Sequence, residues 1–194
     1  IAAADGATLH LAGGVYTGTF TLTRSVTLVG GYDPATWTRD MDAHPTILRG
    51  SGSGPVVRVL PDPCSSPPRV VLDGVIVTGG NADAASPSGG GIYVQGATLV
   101  FSDSVASYND ARDHGGGIFV TDGGRAMLIN SRVLSNTADV GGGISVGNGA
   151  QAWLTNTLIA RNTARVLGGG LYARPEAALS VINSTLADNY APGS

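Results

Sequence analysis

Asp113 and Asp139 each stand two residues before a Gly-Gly-Gly run, at 115–117 and 141–143, so a fold that repeats with that run stacks them at one corner. Asp110 and His114 lie beside the first of them, and Arg112 and Arg165 are close in sequence. Glycoside hydrolysis needs two carboxyls facing one groove, about 5 to 9.5 Å apart. The carboxylates of Asp110, Asp113 and Asp139 are also oxygen donors of the kind Ca²⁺ takes, about six to eight at a time. The equivalent positions in the flanking repeats are Pro87 and Val166, however, so the acidic run is only two deep. The plainer reading is of solvated turn residues, and no catalytic residue, metal ligand or cofactor is assigned.

Other reactive types are sparse. His10 alternates with Leu9 and Leu11 and is expected to face outward, while His44 lies in a long loop, and the chain has no Lys to act as a base. No Cys/His cluster has zinc spacing, and no Ser, His and Asp are spaced as a triad. Tyr93, Phe119 and Tyr172 share one strand position in three of four repeats, with Ser145 breaking the row. An exposed aromatic file suits carbohydrate stacking or protein contact, and serves equally as packing under a loop. These three, with Asp113 and Asp139, are the candidate surface-binding residues.

The elements that position them are repeats. Gly-Gly-Gly followed by Ile or Leu begins at Gly89, Gly115, Gly141 and Gly168, at spacings of 26, 26 and 27. Asn109, Asn136, Asn162 and Asn189 recur at 27, 26 and 27, and Asp103, Asn130, Asn156 and Asn183 lie six residues before them. The Asn183-Ser184-Thr185 sequon falls within this last register. Ile92 and Val94, Leu99 and Phe101, and Ala106, with their in-phase counterparts, show the alternation of short strands with one buried face. Such a unit cannot close a core alone, and stacking it on copies of itself buries a continuous column. The expected fold is all-β: a right-handed parallel β-helix, a three-faced β-solenoid of about seven coils of roughly 26 residues and ~35 Å in length at the usual strand spacing. The glycine run fits a corner needing positive φ or close backbone approach. The two Asp/Asn series are expected to form structural ladders at the turns, where Asn tolerates the left-handed region.

One domain over residues 1–194 is expected. Residues 1–88 form irregular coils with insertions at 30–45 and 61–68, and residues 89–194 form the four regular repeats. Asp73 and Asn81 read as earlier members of the two ladders. With one Glu and no Lys, a helix bundle is excluded. Charged residues are 13% and the net charge is -3, which argues against nucleic acid, and no apolar run is long enough to span a membrane. The single Cys64 leaves no intrachain disulfide.

The pairing of a Gly-Gly-x-aliphatic corner with an x-x-Asn turn, as in Ala106-Ser107-Tyr108-Asn109 and Val133-Leu134-Ser135-Asn136, resembles the repeats of chlamydial polymorphic outer-membrane proteins, with smaller aliphatics where those carry Phe. The first half, with Gly30-Gly31-Tyr32-Asp33 and Pro45-Thr46-Ile47-Leu48, resembles the opening coils of secreted bacterial proteins of the pectate-lyase-like superfamily. The resemblance implies an extracellular or cell-surface protein, often an adhesin or envelope component. The Gly-His-Gly and Asp-Asp motifs and the Arg-x-Lys of polygalacturonases are absent. The chain starts without Met and stops where a further glycine run would fall, at 195, so a processed or partial chain is expected. Three readings follow. One is a structural or adhesive solenoid, self-associating end to end or continuing in a longer chain, with a glycan or cell-surface partner. The others are a polysaccharide lyase or hydrolase and a passive carbohydrate-binding β-helix.

Overall fold

The computed structural model describes residues 4–83 and 88–192. Pro87, one of the positions compared at the acidic corner, and the final residues 193–194 lie outside the described residues. The chain winds as a parallel solenoid. A regular coil runs through Thr98–Ser102 in a first sheet, Val105–Ser107 in a second, Asp110–Ala111 in a short fourth and Ile118–Thr121 in a third. Each strand pairs in parallel with its counterpart one coil away, so among the described residues the sheets hold seven, seven, six and four strands. The coil count differs only slightly from the seven expected. Six turns carry all three main sheets, and a further one contributes Ala178–Ile182 and Thr185–Ala187.

Alternation fills the interior. Leu99 pairs in register with Val70 and Ala126, and Phe101 with Leu72 and Leu128, all fully buried. Ile92, Ile118 and Ile144 form a second column and Val77, Ala106, Val133 and Ile159 a third. Each large member is stabilised by roughly 1.5–3 kcal/mol relative to exposure. In the last coil Leu179, Val181 and Leu186 keep this register but are exposed.

The three-faced expectation is incomplete. The stretch between the second Asn register and the glycine run, expected as a plain turn, pairs as a fourth sheet through Asn81–Ala82, Asp110–Ala111, Thr137–Val140 and Thr163–Leu167. Small residues allow it, because Ala82, Ala111, Ala138 and Ala164 are the buried side chains there. In the first half, the strand Val26–Tyr32 extends through Gly30 and Gly31, so the insertion begins after Tyr32 rather than at 30. Gly14–Thr17 adds a strand that the alternation did not reveal.

Candidate functional site

The two Asp/Asn registers differ in burial. Asn109, Asn136 and Asn162 are at most 2% exposed and bonded coil to coil. The Oδ1 of Asn136 accepts both the backbone N–H and the Nδ2 of Asn109, each at 3.0 Å. Its own Nδ2 donates to the Ala106 carbonyl at 3.0 Å and to Asn162 Oδ1 at 3.0 Å. Asn162 relates to Asn189 in the same way. These asparagines do not take up the left-handed backbone themselves. The residue before each does: Tyr108, Ser135, Arg161 and Asp188, at φ between 53° and 57°.

The other register, Asp103, Asn130, Asn156 and Asn183, is left-handed at φ 48–50° and exposed. Asn156 Nδ2 donates to Asn130 Oδ1 at 2.9 Å, and Asn130 Nδ2 to Asp103 Oδ1 at 3.3 Å. Behind it runs a hydroxyl ladder that motif reading passed over: Ser104, Ser131, Thr157 and Ser184. Each hydroxyl donates to the carbonyl two residues back, at 2.6–3.1 Å. The backbone N–H groups of Val75 and Thr157 donate to Ser104 and Ser184. The signal was present, since every member directly follows a member of the exposed register. Asp73 and Asn81 fall one residue off the ladders. Asp73 pairs in register with Ser102 and Asn81 with Asp110. Gly74, at φ 66°, takes the turn position instead, and the N–H of Gly80 donates to Asn109 Oδ1.

The acidic corner is organised by Arg165. Its guanidinium donates to both oxygens of Asp110, at 2.8 and 3.1 Å, to Asp139 at 3.2 Å and to the Ala111 carbonyl at 3.1 Å. It thus spans three coils of the fourth sheet. Burial opposes the charge on Arg165, and the two carboxylates overcome it, raising its pKa. Asp113 and Asp139 do lie at one corner in adjacent coils, where the Val140 N–H donates to the Asp113 carbonyl, but the Asp113 carboxylate meets His114, with 3.4 Å between Oδ1 and Nε2, rather than Arg165. The Ca²⁺ set of Asp110, Asp113 and Asp139 therefore does not form. Among the described residues no three His, Cys, Asp or Glu side chains are grouped to hold a metal.

The aromatic file is not the exposed row expected from the sequence. Phe119 and Ser145 are 8% and 1% exposed, and Tyr93 and Tyr172 are half-buried. The reason is His114. Its ring stacks on Phe119 at 5.3 Å and on Tyr172 at 6.4 Å, spanning the gap that Ser145 leaves between them. Tyr93 contacts Phe119 at 5.8 Å, and the Arg58 guanidinium lies 5.8 Å from the Tyr93 ring. Burial, with the Asp122 charge, pushes the Tyr93 phenol up.

The Arg174 guanidinium lies 3.1 Å from His114 Nε2. Burial pushes this imidazole below its ordinary value of 6.5, and Arg174 acts the same way, while Asp113 and Asp139 pull against them. The folded protein thus holds the proton less tightly than the unfolded chain. The stability due to neutral His114 is complete above pH 6.5 and falls progressively below it. Urea midpoints measured at pH 8 and pH 5 should show a loss at pH 5 that is smaller in His114→Phe. An equal loss in both proteins would assign the acid sensitivity elsewhere.

The fold and these contacts can be set against known proteins. No curated protein and no solved structure matches the chain. The family model of the right-handed beta helix region matches residues 68–193, which spans all the regular repeats and well over half of the sequence. With parallel coils that stack in register over the same stretch, the chain belongs to the right-handed β-helix family.

Proposed function

We propose that this chain is an extracellular or cell-surface structural and adhesive β-solenoid whose copies stack end to end. The carrying observation is where its repeated polar residues point. The Asn109–Asn136–Asn162–Asn189 ladder runs along the axis, and each of these four coils offers the same donors and acceptors to the next. The parallel strand pairing that joins one coil to the next would join coils of two copies in the same way. Contacts of this head-to-tail kind do not close and therefore build filaments. The extracellular placement rests on the resemblance of the repeats to surface proteins, and fractionation of producing cells tests it.

The carboxylates that suggested glycan cleavage support the structural reading better. Asp110 and Asp139 share Arg165, which ties them across coils as an ion-pair cluster. Light scattering with negative-stain electron microscopy is the test. Fibres with an axial repeat of about one chain length, ~35 Å at the usual strand spacing, are expected. Discrete monomers at high protein concentration would overturn the stacking.

A further inference from the structure

Among the described residues, the left-handed non-glycine positions form two series of four, with Asp122 and Trp37 outside them. Asp103, Asn130, Asn156 and Asn183 share one turn, Tyr108, Ser135, Arg161 and Asp188 share the next, and Asp122 closes the turn after Ile118–Thr121. Trp37, at φ 57°, belongs to neither series, and it is 53% exposed. The left-handed region is an outlier for so bulky a side chain, and strain of this kind collects at binding sites. An indole left open to water gains little burial in return, so packing does not account for it.

The loop at 33–45 holds the indole in place. Asp33 Oδ1 accepts the N–H groups of Ala35 at 2.6 Å and Thr36 at 3.0 Å, and the Trp37 N–H donates to the Asp33 carbonyl at 2.9 Å. Asp33 Oδ2 meets His44 Nε2 at 3.1 Å. Arg39 donates to the Gly30 carbonyl at 3.0 Å and pairs with Asp73 on the first sheet. Two more rings continue the indole. Tyr32 lies 6.1 Å from Trp37, and His10 stacks on Tyr32 at 4.6 Å with 15° between the planes. A contiguous run of aromatic rings, with the indole tilted 43° from Tyr32, therefore extends from the first strand to the loop tip, rimmed by the exposed hydroxyls of Thr36 and Thr38, 2.8 Å apart.

We propose that Trp37, Tyr32 and His10 form a binding surface for a neutral glycan, with a pyranose ring seated on the indole. A sugar offers a flat face of C–H groups to the electron-rich ring face and hydroxyls to the polar rim. Charge selects the class. The loop carries the carboxylates of Asp33, Asp40 and Asp42, while Arg39 is already paired with Asp73 and His44 faces Asp33. An anionic sugar is repelled there and a neutral one is not. This rests on the adhesive part of the function proposed above and assigns it a place and a ligand class.

Calorimetric titration with cellohexaose, xylohexaose and chitohexaose tests it. At least one should bind, and Trp37→Gly should weaken that binding at least tenfold while melting at the same temperature as the parent or higher, because glycine adopts this φ without strain. Tyr32→Ala should weaken it too. In Trp153→Phe, where Trp37 is the sole indole, the same sugar should shift the tryptophan emission. Binding by none of the three sugars, or undiminished binding by Trp37→Gly, overturns the assignment. So does self-association of the parent that is lost in Trp37→Gly, which would give the surface to a second copy. Filaments that persist in Trp37→Gly without glycan binding leave the structural reading standing while this assignment falls.

Discussion

Replacing Asn136 by leucine should lower the unfolding free energy by about 4 kcal/mol, since a buried group left without its partner costs ~1–3 kcal/mol. Three such groups are created together. The backbone N–H and Nδ2 of Asn109 lose their acceptor, and the Ala106 carbonyl loses its donor. Leucine fills a similar volume, so the effect reads the hydrogen bonds rather than a cavity. Asn136 is fully buried, and no water can take over its contacts. The control is Asn130→Gly in the exposed ladder, which keeps the left-handed backbone and gives up two side-chain bonds to solvent. Its cost should stay within ~1 kcal/mol. Urea unfolding followed by circular dichroism compares the two, and equal midpoints would show that the buried ladder adds nothing beyond its exposed neighbour.

The second large effect is expected at Gly142. A Cβ there would press into the carbonyl oxygens of Thr163 and Gly169, which are backbone of the next coil. Neither can retreat without breaking the parallel pairing of that coil, so Gly142→Ala should cost about 3 kcal/mol or more. Gly142 has no positive φ, and its requirement is space alone. Gly149 is the opposite case, with φ at 61° and only the Gly123 nitrogen near, at 4.0 Å. Gly149→Ala should cost roughly 1–2 kcal/mol, the ordinary penalty of a left-handed alanine. Thermal melting of both variants decides the matter, and a larger loss at Gly149 would reverse the assignment of roles.

Those glycines show how far residue patterns can be read. The run at 141–143 was legible as a corner needing positive φ or close approach, and the structure divides the two needs among its members. Gly141 supplies the φ of 64° and lies close to the Ile144 carbonyl as well, while Gly142 and Gly143 supply room alone. The division was not legible because both needs select the same residue type. The early ladder positions were misplaced by one residue for a related reason. Gly74 and Gly80 do the work there without a polar side chain, and the nearest polar neighbours, Asp73 and Asn81, drew the eye. The fourth sheet was hidden because its strands are short and its buried residues are alanines.

By itself the sequence determined the coil, its period, the residues of the core columns and the existence of two polar ladders. Stacking in register places like residues on like, so each structural demand is written again every 26 or 27 residues and stands out from chance. Only the tertiary structure decided which ladder is buried, that Arg165 gathers Asp110 and Asp139, that His114 covers the aromatic file, and that Trp37 is held at an exposed loop tip. Those contacts occur once each. Arg165 reaches Asp110 across 55 residues, and Arg174 reaches His114 across 60. A pairing that never repeats leaves no period to read, and it exists only because two turns of backbone bring its members to the same face.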